Sequence, residues 1–166
     1  MGLRDEVMDA LNRQMGREFD AHFQYLAISS WFNGEGLREL AGFFAAQAAE
    51  EHAHAMRFLT YIQDAGGTVA IPAIAAPATG FERAEEAVAA ALASEEDVTA
   101  RINELVDVAR AANDHATDAF LQWFVTEQVE EVSTMTELLQ VTRRAGEGNL
   151  LLVEDYIARS GGHSGE

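Results

Sequence analysis

The chain has 166 residues, of which 28 are Asp or Glu and 11 are basic, and it contains no cysteine. The formal net charge of −17 argues against nucleic acid or an anionic membrane as a partner, because both require a basic face. The lack of cysteine excludes disulfides and metal sites built on thiolates. With 48% hydrophobic residues, we expect a single folded domain over residues 1–166. Because no apolar run resembles a signal peptide or a membrane span, we expect a cytoplasmic protein.

Helix-breaking residues divide the chain into four long segments and one short segment. The segments are rich in Ala, Leu, Glu, Arg and Gln, and apolar residues recur at steps of three and four, which predicts helices. Both prolines, Pro72 and Pro77, lie in the one long connection, and Thr79 and Glu82 after it have capping-box spacing. The predicted helices are 3–33, 37–65, 81–111, 115–145 and 150–159, followed by a flexible tail over 160–166.

The lengths of the connections predict how these helices pack. Short links join the first helix to the second and the third to the fourth, so each of these pairs forms an antiparallel hairpin. The connection at about 65–80 is long enough to cross the whole length of a bundle. We therefore predict an all-α protein, a four-helix bundle with one long crossover and a short fifth C-terminal helix.

Each apolar stripe is interrupted near its middle by a carboxylate. The interruptions are Glu18, Glu51, Glu95 and the stretch 128–131, and each lies at a similar distance from the turn of its hairpin. Antiparallel packing would bring them to one level, facing inward. Carboxylates that meet in an apolar core must take up protons, pair with Arg or bind a cation, because burying them unpaired costs several kcal/mol.

The residue types at this level favour iron or manganese. Glu51 and His54 are three residues apart on one helix face, so they can bind one ion together. Carboxylates with few imidazoles and no sulfur suit iron or manganese better than structural zinc. Two ions bridged by Glu51 is the simplest arrangement, because Glu51 is the central member of the group.

The sequence resembles the bacterial non-haem ferritins, a ferritin-like family, over essentially its whole length. The most specific resemblance is the stretch FLQWFVTEQVEE at residues 120–131. The other matching motifs are Arg17-Glu18 with Tyr25 seven residues later, AEEHAH at 49–54, and Glu95 before INEL at 102–105. A Glu-x-x-His pair alone would be weak evidence, whereas this combination is specific.

The resemblance implies an iron-storage protein with a di-iron ferroxidase centre. Such a centre oxidises Fe(II) with O2 or H2O2, and Fe(III) mineral then collects inside a hollow homo-oligomeric cage of about 24 subunits with octahedral symmetry. The ligands implied for the first iron are Glu18, Glu51 and His54, and Glu51 would bridge to a second iron at Glu95, with Gln128 and Glu131 beside it.

The resemblance also implies a third iron site and an electron donor. The residues matching the third site are Glu50, Glu127 and Glu130, with Glu131 shared. Tyr25 matches the tyrosine beside the centre that serves as an electron donor during oxygen reduction. Glu50 and Glu130 lie about 100° around their helices from the inward-facing positions, so they could instead be solvated edge residues.

Two histidines and two aspartates remain open to more than one interpretation. His22 follows Glu18 by one helical turn, but the family places no ligand there, so we expect a surface or interface histidine. Bacterioferritins carry a haem-binding Met where this chain has His52, and we expect no haem and an ordinary exposed histidine. Asp114 and Asp118 could line an iron-entry pore or could simply stabilise the start of the fourth helix.

Other function classes fit the sequence less well. A DNA-protecting mini-ferritin has its metal site between subunits and lacks a fifth helix, and a bacterioferritin repeats Glu-x-x-His on its fourth helix. A rubrerythrin-like oxidase would usually add a cysteine-rich iron domain. A cage without activity would not need the intact ligand set. A bacterioferritin-like or mini-ferritin-like protein of iron detoxification or oxidative stress is the alternative.

Overall fold

The computed structural model of the protein describes residues 4–161. It confirms the predicted fold class, a four-helix bundle with one long crossover and a short fifth helix. The helices are α1 (Asp5–Gly34), α2 (Arg38–Asp64), α3 (Ala84–Ala111), α4 (His115–Ala145) and α5 (Leu150–Ser160), with a 3₁₀ turn at Glu147–Asn149 before α5. No helix in the described part of the chain is both long and apolar enough to cross a lipid bilayer.

The predicted ends of the first and last helices need small corrections. The first helix was expected from residue 3, which lies outside the described residues, and α1 begins at Asp5. The tail was expected from residue 160, but α5 includes Ser160, whose hydroxyl donates to the carbonyl of Tyr156 at 2.9 Å. The rest of the predicted tail, residues 162–166, also lies outside the described residues.

The third helix begins at Ala84, so its predicted start at residue 81 is wrong. Arg83 is extended, and the capping box predicted from Thr79 and Glu82 does not form. Instead, Glu147 accepts the backbone N–H groups of Ala84 and Glu85 at 3.1 and 3.2 Å. The first N–H groups of a helix need acceptors from outside the helix, and here a residue far along the chain supplies them.

The crossover between α2 and α3 is bound along α1 by polar side chains. The side-chain amide of Asn12 donates to the carbonyl of Thr68 at 3.0 Å and accepts the N–H of Ala70 at 2.8 Å. Further along α1, Asp20 accepts the N–H of Ala75 at 2.8 Å, and Gln24 pairs with both backbone groups of Ala78. These bonds fix the path of the crossover along the bundle.

The close packing of α1 against the crossover predicts a difference in stability between two glycine variants. A Cβ at Gly16 would overlap Cγ of Pro72, whereas a Cβ at Gly42, in α2, would meet nothing within 4 Å. We expect Gly16→Ala to destabilise the subunit by about 1–3 kcal/mol through overpacking. Gly42→Ala should stabilise it by about 0.5–1 kcal/mol, because it reduces the entropy lost on helix formation.

Thermal and denaturant unfolding of the two variants beside the parent chain would test this prediction. Each substitution adds one methyl group to a helix, so Gly42→Ala is a matched control. Equal stability of the two variants would contradict the packing of Pro72 against α1.

α5 is attached to the bundle by a cap and one buried side chain. Glu154 accepts the N–H groups of Glu39 and Leu40 at 3.1 and 2.8 Å, and thereby caps the start of α2. Val153 is the one fully buried residue of α5. Leu151 and Leu152 are 77% and 64% exposed, so α5 presents an apolar surface outside the subunit.

The bundle core consists of two apolar clusters separated by a polar layer. One cluster contains the stacked rings of Phe32 and Phe44, whose centroids are 5.6 Å apart. The other contains Phe58 and Phe124, at 4.4 Å. The buried polar residues near the middles of the four long helices lie between these clusters. The apolar packing on both sides holds that layer at a fixed level of the bundle.

Candidate metal centre

All four long helices contribute to the polar layer. Each of its six central side chains is at most 4% exposed although each is polar. They are Glu18 from α1, Glu51 and His54 from α2, Glu95 from α3, and Gln128 and Glu131 from α4. The structure therefore brings the predicted inward-facing carboxylates together from four separate stretches of sequence.

Glu51 belongs to two adjacent groups of possible metal ligands. Glu18, Glu51 and His54 each offer a ligand atom within 4.8 Å of the others, and Glu51, Glu95 and Glu131 do the same. Within the first group, Nδ1 of His54 lies 3.4 Å from Oε2 of Glu51 and 3.7 Å from Oε2 of Glu18. Two cation positions side by side, with Glu51 between them, follow from this geometry.

Hydrogen bonds from neighbouring side chains orient two of the carboxylates. The amide nitrogen of Gln14 donates to Oε1 of Glu18 at 2.8 Å. The hydroxyl of Tyr25 donates to Oε1 of Glu95, and the amide of Gln128 donates to its Oε2 at 3.0 Å. Supporting bonds of this kind fix ligand orientation in metal sites.

Several atoms of the layer are buried with no hydrogen-bond partner among residues 4–161. They are Oε2 of Glu18, Oε1 of Glu51, Nδ1 of His54 and Oε2 of Glu131. Buried polar atoms are normally paired, and leaving them unpaired costs free energy. A cation would pair with all of them, and oxygen donors with one imidazole are the donor set that suits iron or manganese. The residues present therefore fit a pair of metal ions.

The surroundings of the layer raise the pKa values of several of its groups. Burial raises the pKa of Glu51 well above its ordinary value, and the charges of Glu18 and Glu95 add to this. Burial and the charge of Glu95 raise the pKa of Glu131 to about 8. Burial alone would lower the pKa of His54, but the carboxylates of Glu18 and Glu51 outweigh it and raise it to about 10. Without metal, the layer holds protons near pH 7.

The raised pKa values predict that metal binding releases protons. Because Glu131 and His54 are protonated near pH 7 in the metal-free protein, Zn(II) should displace at least about one proton per subunit. Calorimetric titration in two buffers of different ionisation enthalpy measures this number. Glu131→Gln, which keeps the shape but cannot lose that proton, should release fewer protons. A buffer-independent enthalpy for the parent chain would contradict the protonated layer.

The residues predicted for a third iron differ in their placement. Glu127 is half-buried, and it forms a third possible ligand group with His54 and Glu131. Glu50 and Glu130 are exposed, and neither belongs to the three groups found among the described residues. Glu50 is near enough for its charge to help raise the pKa of Glu131. The structure thus includes Glu127 in a possible ligand group and leaves Glu50 and Glu130 exposed outside the three groups.

Sequence reasoning missed the residues that support the ligands. Gln14 lies one helical turn before Glu18, and Thr99, whose hydroxyl also lies 3.2 Å from the amide of Gln128, lies one turn after Glu95. Each is a polar residue one turn from a buried carboxylate, and that spacing is the signal that could have identified them.

The structure also places the two histidines and two aspartates whose roles the sequence left open. His22 is half-buried and belongs to none of the three ligand groups, and His52 is exposed. Asp114 caps α4 by accepting the N–H of Thr117 at 3.0 Å. Asp118 accepts from Arg110 at 3.0 Å. These contacts give both aspartates a structural role at the start of α4.

Comparison with known proteins agrees with the fold. The family model for the ferritin-like domain matches residues 8–145. Ferritin BfrB of Mycolicibacterium smegmatis is 44% identical over 146 residues, covering 88% of this chain and 80% of that protein. The bacterial non-heme ferritin of Staphylococcus saprophyticus is 37% identical over 158 residues, covering 94% and 95%. An open pore ferritin from Archaeoglobus fulgidus superimposes with a TM-score of 0.90 at 32% identity, covering 94% and 98%.

The fold and the buried carboxylate layer define a four-helix-bundle protein with a candidate di-metal centre inside one subunit. The chain belongs to the ferritin family, as the family model and the relatives above 30% identity show. The resemblance to bacterial non-haem ferritins is confirmed.

Proposed function

We propose that this ferritin stores iron through a di-iron ferroxidase centre inside each subunit. The observation that carries the proposal is the position of Glu51, which is shared by two buried groups of ligand atoms. Buried side-chain atoms with no hydrogen-bond partner among residues 4–161 belong to members of both groups. The family and the fold support iron storage, and the ligand chemistry supports iron as the metal.

Each residue of the layer has a separate task in this proposal. The first iron would be held by Glu18, Glu51 and His54. Glu51 would also bind the second iron and so bridge the two ions. The second iron would be held by Glu95 and Glu131, with Gln128 beside them. When bound, the iron pair supplies the electrons that reduce O2 or H2O2. Carboxylate oxygens are hard donors, so they stabilise Fe(III) relative to Fe(II) and favour the oxidation.

Tyr25 is proposed as an additional electron donor. Its hydroxyl is buried and donates a hydrogen bond to Oε1 of Glu95. Burial, followed by the charge of Glu95, raises the pKa of this hydroxyl, so the phenol keeps its proton in the resting protein. When Tyr25 gives up an electron, Glu95 is placed to accept the proton, so no charge is left on the buried phenol.

We further propose a cytoplasmic cage of about 24 copies with octahedral symmetry, in which mineral collects. The exposed Leu151 and Leu152 of α5 support burial of this helix against other copies. Glu127 and Glu131, with Glu50 and Glu130 at the edge, are proposed to hold a third iron. The placement of the whole ligand set inside one subunit and the presence of α5 disfavour the mini-ferritin alternative.

Aerobic addition of Fe(II) to the metal-free protein tests this function. We expect absorbance of the Fe(III) product to rise much faster than in buffer. Light scattering should show a particle of several hundred kilodaltons, as expected for a closed cage of chains of 18.1 kDa. A monomeric protein, or oxidation no faster than in buffer, would contradict the proposal.

A further inference from the structure

A small cavity lies in the groove between α1 and α3. Its volume is about 150 Å³, and three of the residues that line it are arginines, Arg13 and Arg17 of α1 and Arg101 of α3. All three are exposed. The chain carries 11 basic residues against 28 acidic ones, so three arginines around one cavity form a local positive region on an acidic protein.

Two of these arginines have no carboxylate partner. Among residues 4–161, neither Arg13 nor Arg17 forms an ion pair, whereas Arg101 pairs with Asp97 at 3.5 Å and with Glu104 at 3.3 Å. Arg13 and Arg17 are one helical turn apart, and like charges at that spacing on a helix repel each other. A bound anion would remove this repulsion and give both side chains a partner.

The walls of the cavity strengthen its attraction for a small anion. Leu105, which is 3% exposed, and half-buried Val108 supply apolar walls. Walls of low dielectric constant concentrate the field of the charges around a cleft. A water molecule needs only about 10–15 Å³ of such a cavity, so this one can hold a group of several non-hydrogen atoms.

The charge of the cavity and the shape of guanidinium groups favour an oxoanion. Three arginines and one carboxylate, Glu104, line the cavity, which leaves an excess of positive charge. The charge of Glu104 is already balanced by Arg101. A planar guanidinium presents parallel N–H donors that match two oxygens of a phosphate.

One buried side chain links this cavity to the metal layer. Gln14 is 3% exposed, lines the cavity, and donates to Oε1 of Glu18 at 2.8 Å. No lining residue of the cavity belongs to the three ligand groups found in residues 4–161. An ion in the cavity would therefore lie close to the layer without competing for its ligand atoms.

We propose that Arg13, Arg17 and Arg101 form a binding site for one inorganic phosphate ion in the groove between α1 and α3. Arg13 and Arg17 supply the guanidinium groups that lack other partners, and Arg101 contributes a third from the opposite helix. The site needs no metal ion, so the inference does not depend on the ferroxidase function.

Calorimetric titration of the metal-free protein with inorganic phosphate tests the site. Removing metal prevents phosphate from binding through a metal ion, and low ionic strength limits the screening of the arginines. We expect saturable binding of one phosphate per subunit. Arg13→Gln and Arg17→Gln should each raise the dissociation constant at least about tenfold, because a hydrogen bond to a charged group contributes at least that factor.

Arg144→Gln is the matched control. Arg144 is exposed on α4 and does not line the cavity, and its removal changes the net charge by the same amount. We expect its dissociation constant to equal that of the parent chain, since overall charge alone does not make the site.

Four results would overturn the inference. They are a parent chain without saturable binding, Arg13→Gln and Arg17→Gln variants that bind as tightly as the parent, equal weakening in Arg144→Gln, and a phosphate monoester that binds more tightly than the free ion. The third result would trace the binding to overall charge. The fourth would assign the cavity to the phosphate group of a larger molecule.

Discussion

Glu51→Ala is expected to lower the initial rate of Fe(II) oxidation at least about 100-fold while the cage remains assembled. Among residues 4–161, Glu51 is the one residue common to the two ligand groups whose members are all buried, so its removal impairs both ion positions. Changing a partner that only supports a metal ligand costs about 10–100-fold, and a shared ligand should cost more. Stopped-flow absorbance after rapid mixing with aerobic Fe(II) measures the rate, and light scattering measures the assembly.

Glu96→Ala is the matched control for this experiment. Glu96 is exposed on α3 next to Glu95, and its removal changes the net charge by the same amount. We expect its initial rate to equal that of the parent chain. An unchanged rate in Glu51→Ala would contradict the bridging role, and equal losses in both variants would trace the effect to overall charge.

The metal-free protein is expected to lose stability as the pH rises from about 6 to about 8. The pKa of Glu131 is raised from 4.5 to about 8, so its stabilising contribution is complete below its ordinary pKa and is lost as the pH rises from there through about 8. The pKa values of Glu51 and Glu95 are raised by burial and act in the same direction. Because a tenfold difference in proton affinity between folded and unfolded chain is worth about 1.4 kcal/mol, the loss should be at least about 1 kcal/mol per subunit.

Melting temperatures of the metal-free protein across this pH range measure the effect. Glu131→Gln should show a shallower decline, because it has no proton to lose at that position. With Zn(II) bound the trend should reverse, because protons compete with the metal for the same atoms. Metal-free protein that becomes more stable towards pH 8, or a Glu131→Gln variant with the slope of the parent chain, would contradict protonation of the layer.

Local pattern was enough to predict the helices and the level of the centre. Apolar residues at steps of three and four positions indicate which face of each helix is buried. Similar distances from the hairpin turns bring Glu18, Glu51 and Glu95 to one level of the bundle. These properties depend on residues near one another in the chain and on hairpin geometry. The predicted convergence of buried carboxylates accordingly needed no knowledge of distant contacts.

The sequence pattern could not predict contacts between residues that are far apart along the chain. Glu147 caps α3 across more than 60 positions, which moved the start of that helix away from its local capping box. Glu154 caps α2 from further away still. The cavity that Arg101 shares with Arg13 and Arg17 depends on the rotation of α1 and α3 about their axes, which periodicity constrains only coarsely.

The edge of the centre was also difficult to predict. Glu50, Glu127 and Glu130 all match the family motif, yet only Glu127 joins a ligand group in the structure. Neighbouring positions on a helix differ by about 100°, so adjacent glutamates face different surroundings. Sequence identity at these positions does not determine which carboxylate oxygens reach an ion.

Crystals of the protein soaked with Fe(II) under anaerobic conditions test the di-iron assignment most directly. Anomalous scattering should reveal two iron ions in each bundle, about 3.5–4 Å apart, with one oxygen of Glu51 on each. Glu18 and His54 should bind one ion, and Glu95 and Glu131 the other. A single ion in the bundle, or iron bound only at exposed carboxylates, would contradict a di-iron centre bridged by Glu51.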